Sequence, residues 1–393
     1  MSAKTRTADV IIVGAGIVGN SAAYYLRKKG LSCIVLEEKM IGDGGSCRNG
    51  GGVRQSGRDP REFGLAAYAV KHIWPYLKDE LGIDVEYRQT GYLVCGYNED
   101  HYQSIASRVD TAASFGVEMK MLRGDAIKDI CPYVSEHVTC AGWTPSDGVS
   151  NPMRATLAYY IRARELGAQF ITGEKAVRIN KIRGRARQVV TESGNVYEGD
   201  KILVAAGYYG RPLLKTVGLY VPLQKKLNEM IVTEPAPHMF DHMIGGMSGF
   251  YGQQTVHGSF VFGSPSGREY TFFEQDSTET TAVTTSFIAG SIGIDIPAVK
   301  SLKVVRTWGG WVDINLDGVP VLGTVEEVPG LLVVIGSSAH GFGPGPAVGL
   351  CMAHLAADEP SPVDISKLHY DRFDYLNKQP RYQSASNGGA LIR

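Results

Sequence analysis

Over 393 residues, 40 basic and 40 acidic side chains cancel without a long block of either sign, so neither nucleic acid nor an anionic membrane surface is expected as a partner. The length allows one large α/β unit or about two domains. No apolar run approaches a membrane span and the opening MSAKTRTAD has no apolar signal region, which predicts a soluble, cytoplasmic protein; the six cysteines (33, 47, 95, 131, 140, 351) form no CxxC pair and are expected as reduced thiols, with no disulfide framework, iron–sulfur site or metal centre.

The first unit runs from Asp9 to Glu37. The apolar run Val10–Val13 leads into Gly14, Gly16 and Gly19, a segment of helical periodicity follows, and a second apolar run, Cys33–Leu36, is closed by Glu37. This predicts strand, tight turn, helix, strand. Gly14 permits the turn, Gly16 lets a pyrophosphate approach the backbone, and Gly19 lets the helix lie close on the sheet. The helix start at Ile17 and Val18 then presents unpaired N–H groups and a partial positive charge, so no cationic side chain is needed there. Arg27, Lys28 and Lys29 suit the last turn, and Gly30 the position after it. Glu37 follows the glycines by about 20 residues, where an acid takes ribose hydroxyls. That points to FAD or NAD and away from a 2′-phosphate.

A second glycine-rich stretch follows, MIGDGGSCRNGGGVRQSGRD, residues 40–59. Its seven glycines, with Ser46, Arg48, Asn49, Arg54, Gln55 and Arg58, would let the chain wrap a large, flat, polar ligand. From composition alone a solvated flexible loop reads equally well. Residues 60–82 have helical spacing, with Trp74 and His72 expected as packing and surface residues. A strand is predicted over 90–98 and a helix over 101–131. A further helix starts at Pro152 and stops at Gly167, and then come a strand, a hairpin and the buried strand Lys201–Ala205, ending in Ala206 and Gly207. Residues 220–308 alternate in short runs (EMIVTE, SFVFGS, KVVRTW), as an antiparallel sheet half exposed to a ligand would. Leu331–Ile335 is a final strand, Gly336–Gly345 a loop, and Pro346 a helix start at its first position. From Pro360 the chain is polar, and NGGALIR reads as frayed.

GAGIVG, VLEEK and GSCRNGGGVRQ, with the ending DGVPVLG, SSAHGF and PAVG, make the sequence resemble the D-amino acid oxidase and sarcosine oxidase family of flavoproteins from about residue 9 to 360. The family includes glycine oxidase and the flavin-bearing beta subunits of hetero-oligomeric sarcosine, proline and opine dehydrogenases. The resemblance implies an α/β fold: a glutathione-reductase-type Rossmann FAD domain, discontinuous over 8–88, 147–218 and 309–365, with an α+β substrate domain built on an antiparallel sheet over 89–146 and 219–308, and a tail over 366–393. It implies FAD contacts at Gly14, Gly16, Ile17, Val18, Gly19, Glu37 and Glu38. It adds Ser46, Arg48, Asn49, Gly51 and Gly52 along the isoalloxazine, and Val177 at the adenine. Ala206 and Gly207 resemble the "ATG" turn of such flavoproteins, and Gly341, Phe342 and Gly343 fall in the loop under the flavin. Arg54 takes the family's carboxylate-gripping position and His340 lies near the ring, although a structural histidine reads equally well. Lys225 and Lys226 stand where the family often has a basic residue, with a solvated charge pair as the plainer reading; Arg306 divides between an ion pair and a substrate contact.

Three positions depart from the family pattern. Gly343 replaces the lysine that follows HGF in sarcosine oxidases, Val312 replaces a glycine-oxidase arginine, and Gly310 replaces the cysteine that tethers FAD. FAD is therefore expected to be noncovalent, and the departures lean toward the beta subunits. The chemistry implied is oxidation of a C–N bond of an amino acid, imino acid or other secondary amine, by hydride transfer to flavin N5 giving an imine. Electrons then pass to O2 or to a partner subunit. Two other readings stand beside it: an FAD-dependent 2-hydroxy acid dehydrogenase, and an FAD-bearing electron-relay subunit.

Overall fold

The structure, a computed structural model, describes residues 5–267 and 277–373. The first residues of MSAKTRTAD and the final NGGALIR lie outside the described residues. Two eight-stranded sheets organise the rest. The first runs Val321–Thr324, Leu331–Ile335, Val196–Val204, Thr5–Val13, Cys33–Glu37, Gln169–Thr172, with the hairpin Ala176–Ile182 and Arg185–Thr191 attached to Val196–Val204. The five strands from Leu331–Ile335 to Gln169–Thr172 are parallel, and Val321–Thr324 adds an antiparallel edge.

Alternation along these strands divides their side chains between two cores. Val10, Ile12, Val35, Leu203, Leu332 and Val334 pack beneath the helices Ile17–Lys28, Pro152–Glu165 and Gly345–Ala356. Ile11, Val13, Ile34, Leu36, Ile202, Val204, Leu331 and Val333 face the hairpin and the short helix Gly210–Lys215. Burial on both faces explains the unbroken apolar runs in the sequence. Each of these side chains contributes about 1.5–3 kcal/mol relative to exposure.

The second sheet runs Val304–Asn315, Leu223–Pro235, Ser259–Gly263, Tyr251–Gln254, Met243–Gly246, Tyr92–Gly96, Cys140–Thr144, Lys120–Arg123. It is antiparallel except where Met243–Gly246 pairs with Tyr92–Gly96 in parallel. One face, with Leu93, Cys95, Ile244, Phe260 and Phe262, is covered by Ile288 and Ile292 of the helix Ala282–Asp295. The other, with Tyr92, Val94 and Met243, meets Ile105 and Ala112 of the helix Glu99–Ser114.

Several expectations are corrected here. The helix predicted over 101–131 is Glu99–Ser114, a strand Lys120–Arg123 and a helix Asp125–Ile130. Gly116 and Gly124 take positive φ between them and break it. The expected sheet over 220–308 contains the helix Ala282–Asp295, which is apolar around its circumference and so lacks a helical stripe. The last helix begins at Gly345, one residue ahead of Pro346. Val304–Asn315 belongs wholly to the second sheet, so the border expected between 308 and 309 falls inside a strand. The described part of the expected tail is packed: Leu368, Tyr370 and Phe373 are buried, and Arg372 pairs with Asp317 at 3.0 Å.

Candidate active site

Four of the six helices of twelve or more residues among the described residues carry a side-chain N-cap: Asp59, Asn98, Asn151 and Thr281 each accept a first-turn N–H. The other two, Ile17–Lys28 and Gly345–Ala356, start at Gly16 and Pro344, which supply no side-chain cap, and carry no acid in the first turn; the Ile17 N–H is taken from outside the helix by Ser46. These two N-termini lie side by side, because a Cβ at Gly345 would stand 2.7 Å from Ile17 Cγ2. Uncapped helix starts collect orphan N–H donors and positive potential, a pairing that suits phosphate and a reduced, anionic ring.

The rest of the cradle closes around Gly16. A Cβ at Gly14, whose φ is +103°, would meet the Ala205 carbonyl and stand 2.9 Å from Ala206 Cα, which brings the Ala206–Gly207 turn against the first glycine. Gly207 itself takes φ +53°. Glu37 Oε2 accepts the Ala15 N–H at 2.9 Å, so the acid reaches back to the glycine turn. Ser46 Oγ accepts the Ile17 N–H at 2.9 Å and stands 2.8 Å from where a Gly16 Cβ would be. Val18 is half-buried one residue beyond. Exposed Glu38 pairs with Lys175 at 3.6 Å, and Glu174 donates its N–H to the Glu37 carbonyl at 3.0 Å. Exposed Val177 lies just beyond this junction, on the strand Ala176–Ile182.

The second glycine loop is bedded on the second sheet. Cβ atoms at Gly50 and Gly52 would stand 2.8 Å from Tyr251 and Met243, and Gln253 Nε2 donates to the Gly50 carbonyl at 2.8 Å. Gly51 takes φ +77° with its amide on Asn49 Oδ1 at 2.9 Å, while Asn49 Nδ2 donates to the Ser46 carbonyl at 2.8 Å. Asn49 thus shapes the loop from within. Arg48 stitches it outward, donating to the Asp43 carbonyl at 2.7 Å and the Gly309 carbonyl at 2.9 Å. Its stem fills the space beside Gly310. Lys225 is buried, its ammonium 4.2 Å from the Trp311 ring centroid, so the solvated charge pair is overturned for that residue.

The loop after Leu331–Ile335 is strained and braced. Ser338 and Ala339 both take positive φ, +51° and +69°, a cost of about 1–3 kcal/mol each that the surroundings must hold. Ser338 Oγ accepts the Asn315 N–H at 3.1 Å, and the Gly336 N–H reaches Asp313 Oδ2 at 2.7 Å. Burial raises the Asp313 carboxyl to about 6. Trp74 braces the other end: its indole N–H donates to the Gly343 carbonyl at 2.7 Å, and its ring lies 5.3 Å from that of Phe342. A Cβ at Gly341 would stand 2.6 Å from Ser337 Cβ.

Arg54 sits where these pieces meet. A Cβ at Gly343 would stand 3.3 Å from both Arg54 N and Gly52 O, so the position that lacks the family lysine adjoins the arginine. The Arg54 guanidinium lies 4.7 Å from the centroid of the Tyr92 ring, and among the described residues it has no carboxylate partner. Its backbone is fixed by buried neighbours. Asp147 accepts the Gln55 N–H at 2.8 Å and the Ser56 hydroxyl, and Arg58 donates to the Arg54 carbonyl at 3.2 Å and to the His340 carbonyl at 2.9 Å. Burial raises the Asp147 carboxyl and lowers Arg58 to about 10. His340 Nδ1 stands 3.3 Å from Glu62 Oε1; burial, then the Arg58 charge, push its imidazole below its ordinary value and keep it neutral.

Sequence reasoning missed Tyr92, Tyr251, Asn228, Glu62 and Asp147. Tyr251 Oη, 3.0 Å from Asn228 Nδ2 and 3.2 Å from Met230 Sδ, belongs to a phenol that burial raises to about 12. For Tyr92, Tyr251 and Asn228 the signal in the sequence was strand alternation, which any half-exposed sheet shares; Glu62 on a helix and Asp147 in a turn gave none.

A parallel sheet whose two helix starts converge on a glycine cradle, set against a second, largely antiparallel sheet, fits a flavin-dependent oxidoreductase. The chain belongs to the DAO family of FAD-dependent oxidoreductases, which it matches over residues 9–355. It is 24% identical over 383 residues to the beta chain of the sarcosine oxidase of Arthrobacter sp, covering 94% of this chain and 92% of that one. To one of the subunits of the opine oxidase of Rhizobium meliloti it is 24% identical over 344 residues, covering 82% and 86%. The crystal structure of L-proline dehydrogenase from P. horikoshii superposes with a TM-score of 0.88 at 25% identity, over 95% of this chain and 99% of that one. No helix among the described residues is long and apolar enough to cross a membrane.

Proposed function

We propose that this enzyme oxidises a C–N bond of an amino acid, imino acid or other secondary amine, of the opine, proline or sarcosine kind. When bound, FAD supplies the hydride acceptor. The residues that fit it are Gly14, Gly16, Gly19 and Glu37 with the helix start at Ile17 for the dinucleotide, and the loops at Ser46–Gly52 and Gly341–Gly343 for the ring. With Gly310 offering no thiol, the cofactor is held noncovalently.

The observation that carries the reading is the half-buried Arg54 guanidinium, held against Tyr92 beside Gly343 with no carboxylate of its own among the described residues. It grips the substrate carboxylate and so orients the α C–H. The apolar wall of Met230, Met243 and Tyr251 disfavours an ammonium ion, which favours the neutral amine that can be oxidised. Neutral His340 adds no charge that would oppose it. Orientation and a dry site are the protein's share of such chemistry, and no side-chain base is required. Water then hydrolyses the released imine.

Relatives named as subunits support a beta-type role in a dehydrogenase or oxidase complex that passes electrons to a partner or to O2. The six unpaired thiols support a reducing, cytoplasmic setting. Product analysis tests the reaction: the holoenzyme should release an oxo compound and ammonia or an amine in equal amounts from an acyclic amine, or one cyclic imine or its ring-opened amino carbonyl form from a cyclic amine. Oxidation of 2-hydroxy acids with no such release would replace this reading with C–OH chemistry.

A further inference from the structure

Outside the flavin cradle, the loop that opens the helix Pro60–His72 meets the helix Glu99–Ser114 across an open pocket of ≈ 360 Å³. That volume lies at the small end of ligand sites. Gly57, Arg58 and Asp59 line it from the loop, and Ser104, Ser107, Arg108 and Thr111 from the helix. The four helix residues share one face because they follow one another in steps of three, one and three. None of the seven has an apolar side chain, and none belongs to the cradle.

The donors of this pocket are uncommitted and its acid is not. Arg108 is half-buried, with neither an ion pair nor a hydrogen bond among the described residues, and the Ser104 and Ser107 hydroxyls have no partner there either. Arg108 Nη1 lies 3.2 Å from where a Cβ at Gly57 would stand, so a glycine is what lets the guanidinium come up against the loop. The Gly57 and Arg58 N–H groups have no acceptor among the described residues. Asp59 is the one acid in the lining, and Arg61 answers it fully: Oδ1 accepts the Arg61 backbone N–H and Nε, and Oδ2 accepts Nη2, each at 2.9 Å. A half-buried cation without a counterion is costly in the empty protein and becomes favourable when an anion arrives.

We propose that this pocket binds a phosphate group, with Arg108 as its principal ligand and the Ser104 and Ser107 hydroxyls beside it. A lining with no apolar side chain gives the carbon skeleton of a carboxylic acid no seat, whereas phosphate presents acceptor oxygens on every side to donors from helix and loop. The phosphate is either inorganic phosphate or the head of a small monoester. The site stands apart from the flavin and does not depend on which bond the enzyme oxidises.

Calorimetric titration of the FAD-loaded enzyme, at constant ionic strength in chloride, tests the proposal with inorganic phosphate, glycerol 3-phosphate and acetate as probes. FAD occupancy keeps the probes off the pyrophosphate cradle. One phosphate probe should bind at a single site, on the order of 10- to 100-fold tighter than acetate, and the tighter of the two identifies the source. Arg108→Met keeps the stem of the side chain and removes its charge, and should weaken that binding by a similar factor. Arg108→Lys should lose part of it, and Ser104→Ala about 3- to 10-fold. Arg54→Ala should leave phosphate affinity unchanged, which separates this site from the substrate arginine. No saturable binding of either phosphate probe, acetate binding as tightly, or binding lost in Arg54→Ala would overturn the proposal. So would phosphate affinity that survives Arg108→Met, or that survives both Arg108→Lys and Ser104→Ala should Arg108→Met not fold.

Discussion

Replacing Gly19 by alanine tests the cradle most severely. A Cβ there would stand 1.9 Å from the Gly14 carbonyl oxygen and 3.4 Å from Ile12 Cγ2. Neither neighbour can yield easily, since Gly14 is backbone whose own N–H is held by the Leu36 carbonyl at 2.8 Å. Restoring an ordinary contact of about 3.5 Å requires the helix Ile17–Lys28 to move out by about 1.5 Å. Hydrogen bonds from its first N–H groups to a pyrophosphate do not survive such a shift. Losing two of them, at about 1.5–3 kcal/mol each, weakens FAD binding by about 3–6 kcal/mol, roughly 10²- to 10⁴-fold. Fluorescence titration of the apoprotein with FAD reads this directly. Gly290→Ala is the matched control: on the helix Ala282–Asp295, away from the cradle, it adds a Cβ in open space and should bind FAD as the parent does. Unchanged FAD affinity in Gly19→Ala would refute the reasoning.

Other outcomes follow from the same geometry. Arg54→Ala should keep FAD and weaken carboxylate ligands by roughly 10- to 100-fold, and unchanged ligand affinity in a spectral titration would remove Arg54 from the site. Trp74→Phe keeps an aromatic ring against Phe342 but orphans the buried Gly343 carbonyl, so calorimetry should show a loss of about 1–3 kcal/mol, and no loss would mean that the carbonyl finds another donor. The Asp313 carboxyl, raised to about 6 from an ordinary 3.8, contributes stability that is full below about pH 4 and lost as pH rises through about 6. Asp313→Asn should therefore match the parent near pH 4 and exceed it at pH 8 by up to about 3 kcal/mol in urea unfolding; a variant less stable at pH 8 would show that the carboxylate is needed charged.

What could be read from the sequence was whatever the backbone dictates locally. Gly14, Gly16 and Gly19 announce themselves because each answers a steric demand within one turn, and Glu37 follows at a fixed distance set by one helix and one strand. The doubly buried strands were legible for a similar reason, because alternation vanishes when both faces are covered. Long-range partnerships were not. Arg48 carries the chemistry of a phosphate or flavin ligand, yet its guanidinium is spent on the carbonyl of Gly309, 261 residues away. Lys225 looked solvated beside Lys226, and only the fold puts it against Trp311. The helix Ala282–Asp295 hid because its outward face is also apolar, with Val283, Phe287 and Ile294 exposed.

The most direct test of the central claim is the visible spectrum of the purified, FAD-loaded chain, recorded anaerobically before and after addition of secondary amines, amino acids and matched hydroxy acids. The account predicts that an amine carrying a carboxylate bleaches the flavin band while its hydroxy counterpart does not. Bleaching by the hydroxy acids alone, or a band that survives every amine in the panel, would contradict it.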